Sequence, residues 1–590
     1  MRPGIYVLLV VLLGPALSAC IGLPADGPVR TRSVADGGEG DALIDYTPPG
    51  PRAGSAPVPL VDNWLTAMTA TPLSTVVARE FLSAGTSRSW VPERGTIVYG
   101  SQSLVPRPGG AVLLQLRDVV ELDDRGAWRG DPTEGRGRDI ELRLVREGGE
   151  WRINRPPNRL LIPRAQLETQ YRQFSLYFFD RSGKVLVPEP VHVPRGAQAP
   201  TLLLAGLLKG PPSQLREVER SFFPADAVLD GISVPVSRDG TAEVPLSDQV
   251  LEADDRELTM MLAQAAWTLG QVPGVQRLRI TVEGSPLDLP GAREDVGVGD
   301  FSEFDPSVAW ASADLFGVRN RRVVTLGTDD EQRVSGPFGT LPLDPRWIAV
   351  DPLAQHIAGV STDGRTVVDA DRDGVPGRAA RAADLRTIYP GGTDVLRPAF
   401  DLHGQLWVVD RTLAGARVSV VTGGSPTPVA APGLTGADVS RFSVSRDGTR
   451  VVAEVRRGGR DGLVVARVRR DTEGKVLGVL PARRLRVDGA PAVIRDIAWR
   501  TPTDLAVLVS PSRGVFDVLL ATIDGSSPAA GIVTDDARFR GPAVRLVTSP
   551  SRGTPLHLAT STGRLYTLSS RGRWEESGIA PGLTAVTFVG

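Results

Sequence analysis

Apolar and polar positions along this chain repeat with different periods, and the changes of period divide it. After an apolar run over residues 5–13 and a long polar stretch, the i,i+4 pairs Trp64/Met68 and Val77/Phe81 predict two short helices. Pro72 separates them, because a helix interior does not accommodate it. The period then shortens to two. Residues 96–99, 111–122, 139–145 and 150–154 read as strands, and Ile140-Glu141-Leu142-Arg143-Leu144 shows the alternation of a half-buried antiparallel sheet. Helices followed by a curved sheet predict a small α+β domain with Trp90 and Trp151 in its core.

The next segment mixes the two periods. Residues 199–208 carry a helical pattern ended by Lys209-Gly210-Pro211-Pro212, a basic last turn followed by Gly and Pro. Strands are expected at 227–236 and 241–246 around the turn signal Arg238-Asp239-Gly240. A helix over 255–269 places Leu258, Leu262, Ala265, Ala266 and Leu269 on one stripe, and 277–282 closes the segment as a strand.

From about residue 301 the pattern is β throughout, with Asp-Gly, Thr-Gly and Arg-Gly turns between short strands. Similar openings recur at 347–350, 398–400, 441–444, 497–499 and 544–547, each followed by a second strand such as 356–360, 406–409, 451–455, 505–509 or 556–559. Their separation, about 40 to 55 residues, is that of β-propeller blades, which hide both faces only by stacking on neighbours. Residues 584–589 read as a sixth opening strand with no blade after it, and residues 309–335 as a blade without its opening strand. Joining the two predicts six blades closed across the termini. A large β-sandwich is the competing fold.

The apolar run near the start changes the picture of location. Arg2, the run 5–13 and the small residues up to Ala19 follow the charged, apolar, small-residue order of a secretory signal peptide. An uncleaved anchor remains open, since no charge falls between Pro3 and Cys20. Cys20 is the single cysteine of 590 residues, so no intramolecular disulfide is available. Leu17-Ser18-Ala19-Cys20 resembles the bacterial lipobox, which implies cleavage between Ala19 and Cys20 and lipid attachment at Cys20. Residues 21–56, rich in Gly, Pro, Ser and Asp, read as a flexible tether that cannot bury a core. The expected organisation is a signal peptide over 1–19, lipidated Cys and tether over 20–58, an α+β domain over 59–184, a second α+β domain over 185–295 and a propeller over 305–590.

A net charge of −1 provides no basic field for nucleic acid. Only Lys184, Lys209 and Lys475 are lysines, so nearly all the basic residues are Arg, which is read either as interface use of guanidinium or, in preference, as the codon bias of a GC-rich genome.

Two resemblances sharpen the domains. "LLLAGLLKGPP", "ISVPVSRDGTAEVPLSDQV" and "LTMMLAQAAWTLGQVPGVQRLRITVEG" resemble the GerMN domain, a binding or assembly module that carries no catalytic residues. "NWLTAMTATPLSTVVAREFLSAG", "SWVPERG" and "LIPRAQLETQYRQFSLYFFDRSGKVLVPEPVHVPRG" are similar to stretches of the actinobacterial LpqB lipoprotein family. That resemblance implies a cell-membrane lipoprotein on the extracytoplasmic face. It also implies a partner, the extracytoplasmic domain of an MtrB-like sensor histidine kinase whose two-component system controls cell-wall homeostasis and division. The rival is an extracytoplasmic cell-wall glycan-binding protein or glycan-active propeller enzyme, since propellers also host hydrolases and lyases. Carboxylates lining the channel mouth speak for the enzyme, and apolar or neutral groups for binding.

Candidate chemistry is sparse. Asp369, Asp371 and Asp373 stand in a D-x-D-x-D-G opening like that of a calcium loop, but position twelve is Ala380 and Arg372 intrudes, so an acidic turn is the preferred reading. There is no nucleophile elbow, Walker loop or Rossmann fingerprint, and no cofactor is expected. Asp123-Asp124, Asp254-Asp255 and Asp329-Asp330 lie in polar, turn-like contexts. His356, His403 and His557 hold comparable places in three blades and form a cluster only if they line the channel.

Overall fold

The computed structural model describes residues 45–129, 137–291, 293–308, 310–327, 331–487, 493–526, 538–551 and 553–590. The helix Pro57–Ala67 opens with proline in its first turn and buries Leu60, Val61, Trp64 and Leu65. Val76–Glu80 and Ala84–Ser89 follow. Thr96–Tyr99 sits between antiparallel Val120–Leu122 and parallel Leu160–Pro163, and a second sheet orders Ser101–Pro106, Val112–Arg117 and Arg138–Leu142. The strand expected over 111–122 is therefore two strands in two sheets, broken where Asp118 takes φ of 52°. Trp90 is buried and donates to the Pro157 carbonyl at 2.7 Å, and Trp151, partly buried under the Arg146 guanidinium, packs against the same core.

The second core assembles around a long hairpin, Tyr171–Asp180 with Leu186–Pro194. The boundary expected at 184/185 puts the first of these strands in the preceding domain. Its side chains Phe174, Leu176, Phe178 and Phe179 instead bury against Leu203, Leu207, Met261 and Leu262 of the two following helices. Those helices are Ala199–Leu208 and Asp255–Leu269. The second is capped reciprocally by Asp254 and Glu257. Thr241–Leu246 pairs in parallel with Arg277–Val282. The partner expected over 227–236 pairs without forming a regular strand: Leu229–Leu246 and Val236–Ala242 are isolated bridges, and the Asp230, Glu243 and Ser247 N–H groups donate to the Pro245, Pro235 and Val228 carbonyls at 3.0, 2.9 and 3.1 Å. Pro235 has no N–H to donate, and Gly231 at φ 145° interrupts the extended run.

The remainder is built of antiparallel sheets. Among the described residues six follow in order, five of four strands and one of five. The innermost strands Trp347–Val350, Ala399–Phe400, Asp438–Val444, Val493–Trp499, Ala543–Val547 and Thr584–Phe588 each touch the next, and the last touches the first. The C-terminal strand pairs antiparallel with Leu315–Arg319, Leu315 opposite Phe588 and Phe316 opposite Thr587. This sheet is covered on both faces. Phe316, Val318 and Ala585 pack on Ile348, Val350 and Ile357 of the following sheet, while Leu315, Val586 and Phe588 pack on Val547 and Ala559 of the preceding one. Burial on both faces explains why the strands read as nearly continuous apolar runs.

Candidate functional site: the propeller channel and the GerMN joint

Inner strands place side chains around a common axis. Trp347, Arg397, Arg441, Asp496 and Arg545 occupy equivalent steps of five successive inner-strand segments, each just before the residue that enters the core. They line a recess of about 160 Å³. Three of the strands gain an extra residue there. The register of Asp438–Val444 slips between Val439 and Arg441, that of Val493–Trp499 between Ile494 and Asp496, and that of Ala543–Val547 between Ala543 and Arg545. Bulges of this kind re-aim side chains, and here they bring Ser440, Arg495 and Val544 into the lining as well.

The charges in this recess are unbalanced. Arg441 pairs with Glu454, which also accepts from Ser440. Arg397 stands 3.8 Å from Asp496 and donates to the Ile497 carbonyl at 3.2 Å, while Asp496 accepts from the Leu546 N–H at 2.9 Å. Arg545 is only 7% exposed and has no carboxylate within ion-pair distance among the described residues. Its guanidinium lies 4.1 Å from the Trp347 ring centroid and makes one long bond, 3.3 Å, to the Val586 carbonyl. Burial, and Arg397 nearby, hold it down to about 9. At the other end of the same strands a smaller recess of about 70 Å³ is lined by Arg397, Phe442, Arg446, Trp499, Val589 and Gly590, with no Asp or Glu side chain.

The turns after the inner strands carry the joint with the second domain. Arg450, fully buried, donates to the Pro188 carbonyl at 2.5 Å and to Glu189 at 2.9 Å. Arg467 donates to Glu189 at 2.6 Å and lies 3.6 Å from Glu219, and Asp447 lies 3.6 Å from Arg450. Three carboxylates thus share two guanidinium groups. Burial and the adjacent Glu189 hold the Glu219 carboxyl well above the usual carboxylate range. Burial also opposes ionisation of Glu189, but Arg467 and Arg450 outweigh it and hold that carboxyl below its ordinary value. A cavity of about 490 Å³ opens beside this cluster, lined by Trp128, Arg129, Phe178, Glu189, Arg467 and Arg483 among others.

The residues singled out from sequence do not converge. Asp369 is buried against Arg386, Asp371 pairs with His356 at 3.1 Å, and Asp373 accepts from Ser335 at 3.1 Å, so the three carboxylates face three different partners. No group of three potential metal ligands exists among the described residues. The histidines stay apart as well. His557 bonds Thr567 at 2.9 Å, His403 packs against Gly474 with burial and then Arg470 holding it down to about 4, and His192 lies against Trp128. None of the four lines either channel recess. Asp123 accepts from the Arg125 and Ala127 N–H groups, and Asp254 caps a helix. Ala19, Cys20, Asp329 and Asp330 lie outside the described residues. The arginine layer was missed because abundant arginine reads as codon bias. The available signal was positional: Arg397, Arg441 and Arg545 precede the apolar step of three separate repeats.

Fold and site together define a multidomain protein in which a GerMN-type module is packed onto a β-propeller. Residues 50–168 match the family model "Lipoprotein LpqB, N-terminal domain", 175–288 match "Sporulation and spore germination", and 322–582 match "Lipoprotein LpqB beta-propeller domain". Lipoprotein LpqB of Thermobifida fusca is 26% identical over 96% of both chains. That of Mycobacterium bovis is 28% identical over 98% of this chain and 97% of its own. The first GerMN domain of the sporulation protein GerM from Bacillus subtilis is similar over 22% of this chain and 99% of its own, at 22% identity and a TM-score of 0.19. The chain belongs to the LpqB lipoprotein family.

Proposed function

We propose that this protein is a lipid-anchored extracytoplasmic lipoprotein that binds the extracytoplasmic domain of a sensor histidine kinase and tunes its two-component system. The observation that supports binding rather than catalysis is the channel. Among the described residues its linings hold a single carboxylate side chain, Asp496, already engaged by the Leu546 N–H and facing Arg397, whereas glycoside hydrolysis generally takes a pair of side-chain carboxyl groups across the scissile bond. The kinase as partner rests on the family resemblance, and its MtrB-like type is part of that reading. Anchoring through Cys20 agrees with the lipoprotein names of the relatives. No helix among the described residues is long and apolar enough to cross a membrane.

The test is direct binding between the full-length chain and the purified extracytoplasmic domain of an MtrB-like sensor histidine kinase. Saturable binding, together with altered regulator phosphorylation in cells lacking the lipoprotein, is the expected result. Absence of binding by a folded sample, with retention on isolated cell-wall glycan, moves the assignment to the glycan reading.

A further inference from the structure

We propose that the arginine-lined recess at the free mouth of the propeller binds a phosphate dianion, either the free ion or the terminal group of a phosphate monoester. This goes beyond kinase binding and does not depend on it. The recess lies where the inner strands begin, and the turns at their other ends carry the contacts with Pro188 and Glu189.

Charge is the first argument. Arg397, Arg441, Arg495 and Arg545 stand against Asp496 in the lining and Glu454 beside it, an excess of two positive charges. A phosphate monoester carries about −1.5 to −2 at neutral pH, so it neutralises that excess, and a single carboxylate leaves half of it. Donor supply is the second. Arg545 uses one of its five N–H donors on a long bond to Val586, and Arg495 has no ion pair among the described residues. A buried guanidinium without an anion is costly to hold, and proteins ordinarily pair it. Here three bulged strands and the Trp347 ring keep it in place, which is how a site is built before its ligand arrives. Size is the third. A recess of about 160 Å³ takes one tetrahedral group with the atoms next to it, not a folded peptide. Arginine is suited to the task because its planar fork engages two oxygens of a phosphate at once.

The experiment is calorimetric titration of the full-length chain in detergent with inorganic phosphate, with glucose 1-phosphate and with acetate, all at one ionic strength. Phosphate and the ester should bind saturably and acetate should not. The ester separates the two sources, because comparable binding assigns the site to a terminal group, and binding of the free ion alone removes that assignment. Arg545→Met should weaken phosphate at least about tenfold, as expected for loss of a charge-assisted pair, without lowering the melting temperature of the ligand-free protein. Arg495 is exposed, so Arg495→Ala keeps the fold and should weaken phosphate several-fold even if the Arg545 variant does not fold. No saturable phosphate binding by the wild type, equal binding of acetate, or unchanged phosphate affinity in Arg495→Ala overturns the proposal.

Discussion

At the scale of single residues the protein places charge in its interior in two ways. At the joint, Arg467 and Arg450 hold the Glu189 carboxyl below its ordinary value, while burial and Glu189 push the Glu219 carboxyl well above it. The two act on stability with opposite signs. Glu189 contributes in full above the ordinary carboxylate range, and its contribution is lost as pH falls through its lowered folded value. Glu219 binds its proton more tightly folded than unfolded, so its contribution is full below the ordinary range and is lost as pH rises through its raised folded value. Glu219→Gln imitates the protonated form and should leave thermal stability at neutral pH unchanged or raised by up to about 1 kcal/mol, with less loss toward alkaline pH. Glu189→Gln leaves two buried guanidinium groups short of their counter-charge and should cost about 3–5 kcal/mol. Melting curves of both variants from pH 5 to 9 decide this. A strongly destabilised Glu219→Gln protein would show that Glu219 is ionised in the fold.

The elements show which patterns determine themselves. Helix 255–269 was readable because Asp254 and Glu257 cap it and one stripe of apolar residues enters the core. Thr96–Tyr99, Trp347–Val350 and His356–Val360 formed where alternation and turns placed them. The expected strand over 227–236 is irregular rather than absent: its backbone bonds one edge of Thr241–Leu246 while the other edge pairs with Arg277–Val282, and Gly231 at φ 145° breaks its extended run. The C-terminal strand is the opposite case. It is short, yet it fills the inner position of the sheet that begins with Leu315–Arg319, and its side chains bury against sheets on either side. We infer that it closes a six-bladed ring. Deleting residues 584–590 strips the inner edge from Leu315–Arg319 and exposes Phe316 and Val547, so limited proteolysis should cut within the propeller well before the wild-type chain is touched. A truncated protein as resistant as wild type removes the closure reading.

At the scale of the whole molecule, two arrangements matter for function: the anchor and the packing of the GerMN-type module on the propeller. Metabolic labelling with a clickable fatty acid should mark the wild-type protein and leave Cys20→Ser unlabelled, and equal labelling of both would end the lipid-anchor reading. Part of the expected tether is not free: Tyr46 exchanges backbone hydrogen bonds with Thr71 at 2.8 and 2.9 Å and the Gly54 N–H donates to Glu150 at 2.8 Å, so residues 45–56 are held on the first domain, and residues 21–44 lie outside the described residues. The interdomain contact is polar, with a buried centre where Arg450 reaches across to Pro188 and Glu189 and an exposed rim where Arg469 pairs with Glu217 at 3.3 Å.

The order of domain types, the repeat of the propeller and the complementarity of its two end segments were all legible in the chain, because each rests on short-range periodicity and on turns between neighbours. Long-range assembly decided the rest. Strand Tyr171–Asp180 belongs to the second core because Phe178 and Phe179 find Leu203 and Met261 there, a choice that its own alternation does not encode. The shared carboxylates of the joint lie 30 residues apart, and their arginines come from another domain. The layer of Arg397, Arg441 and Arg545 exists only once separate strands converge on one axis, because an inner strand's side chains acquire common neighbours by circular packing and not by sequence distance.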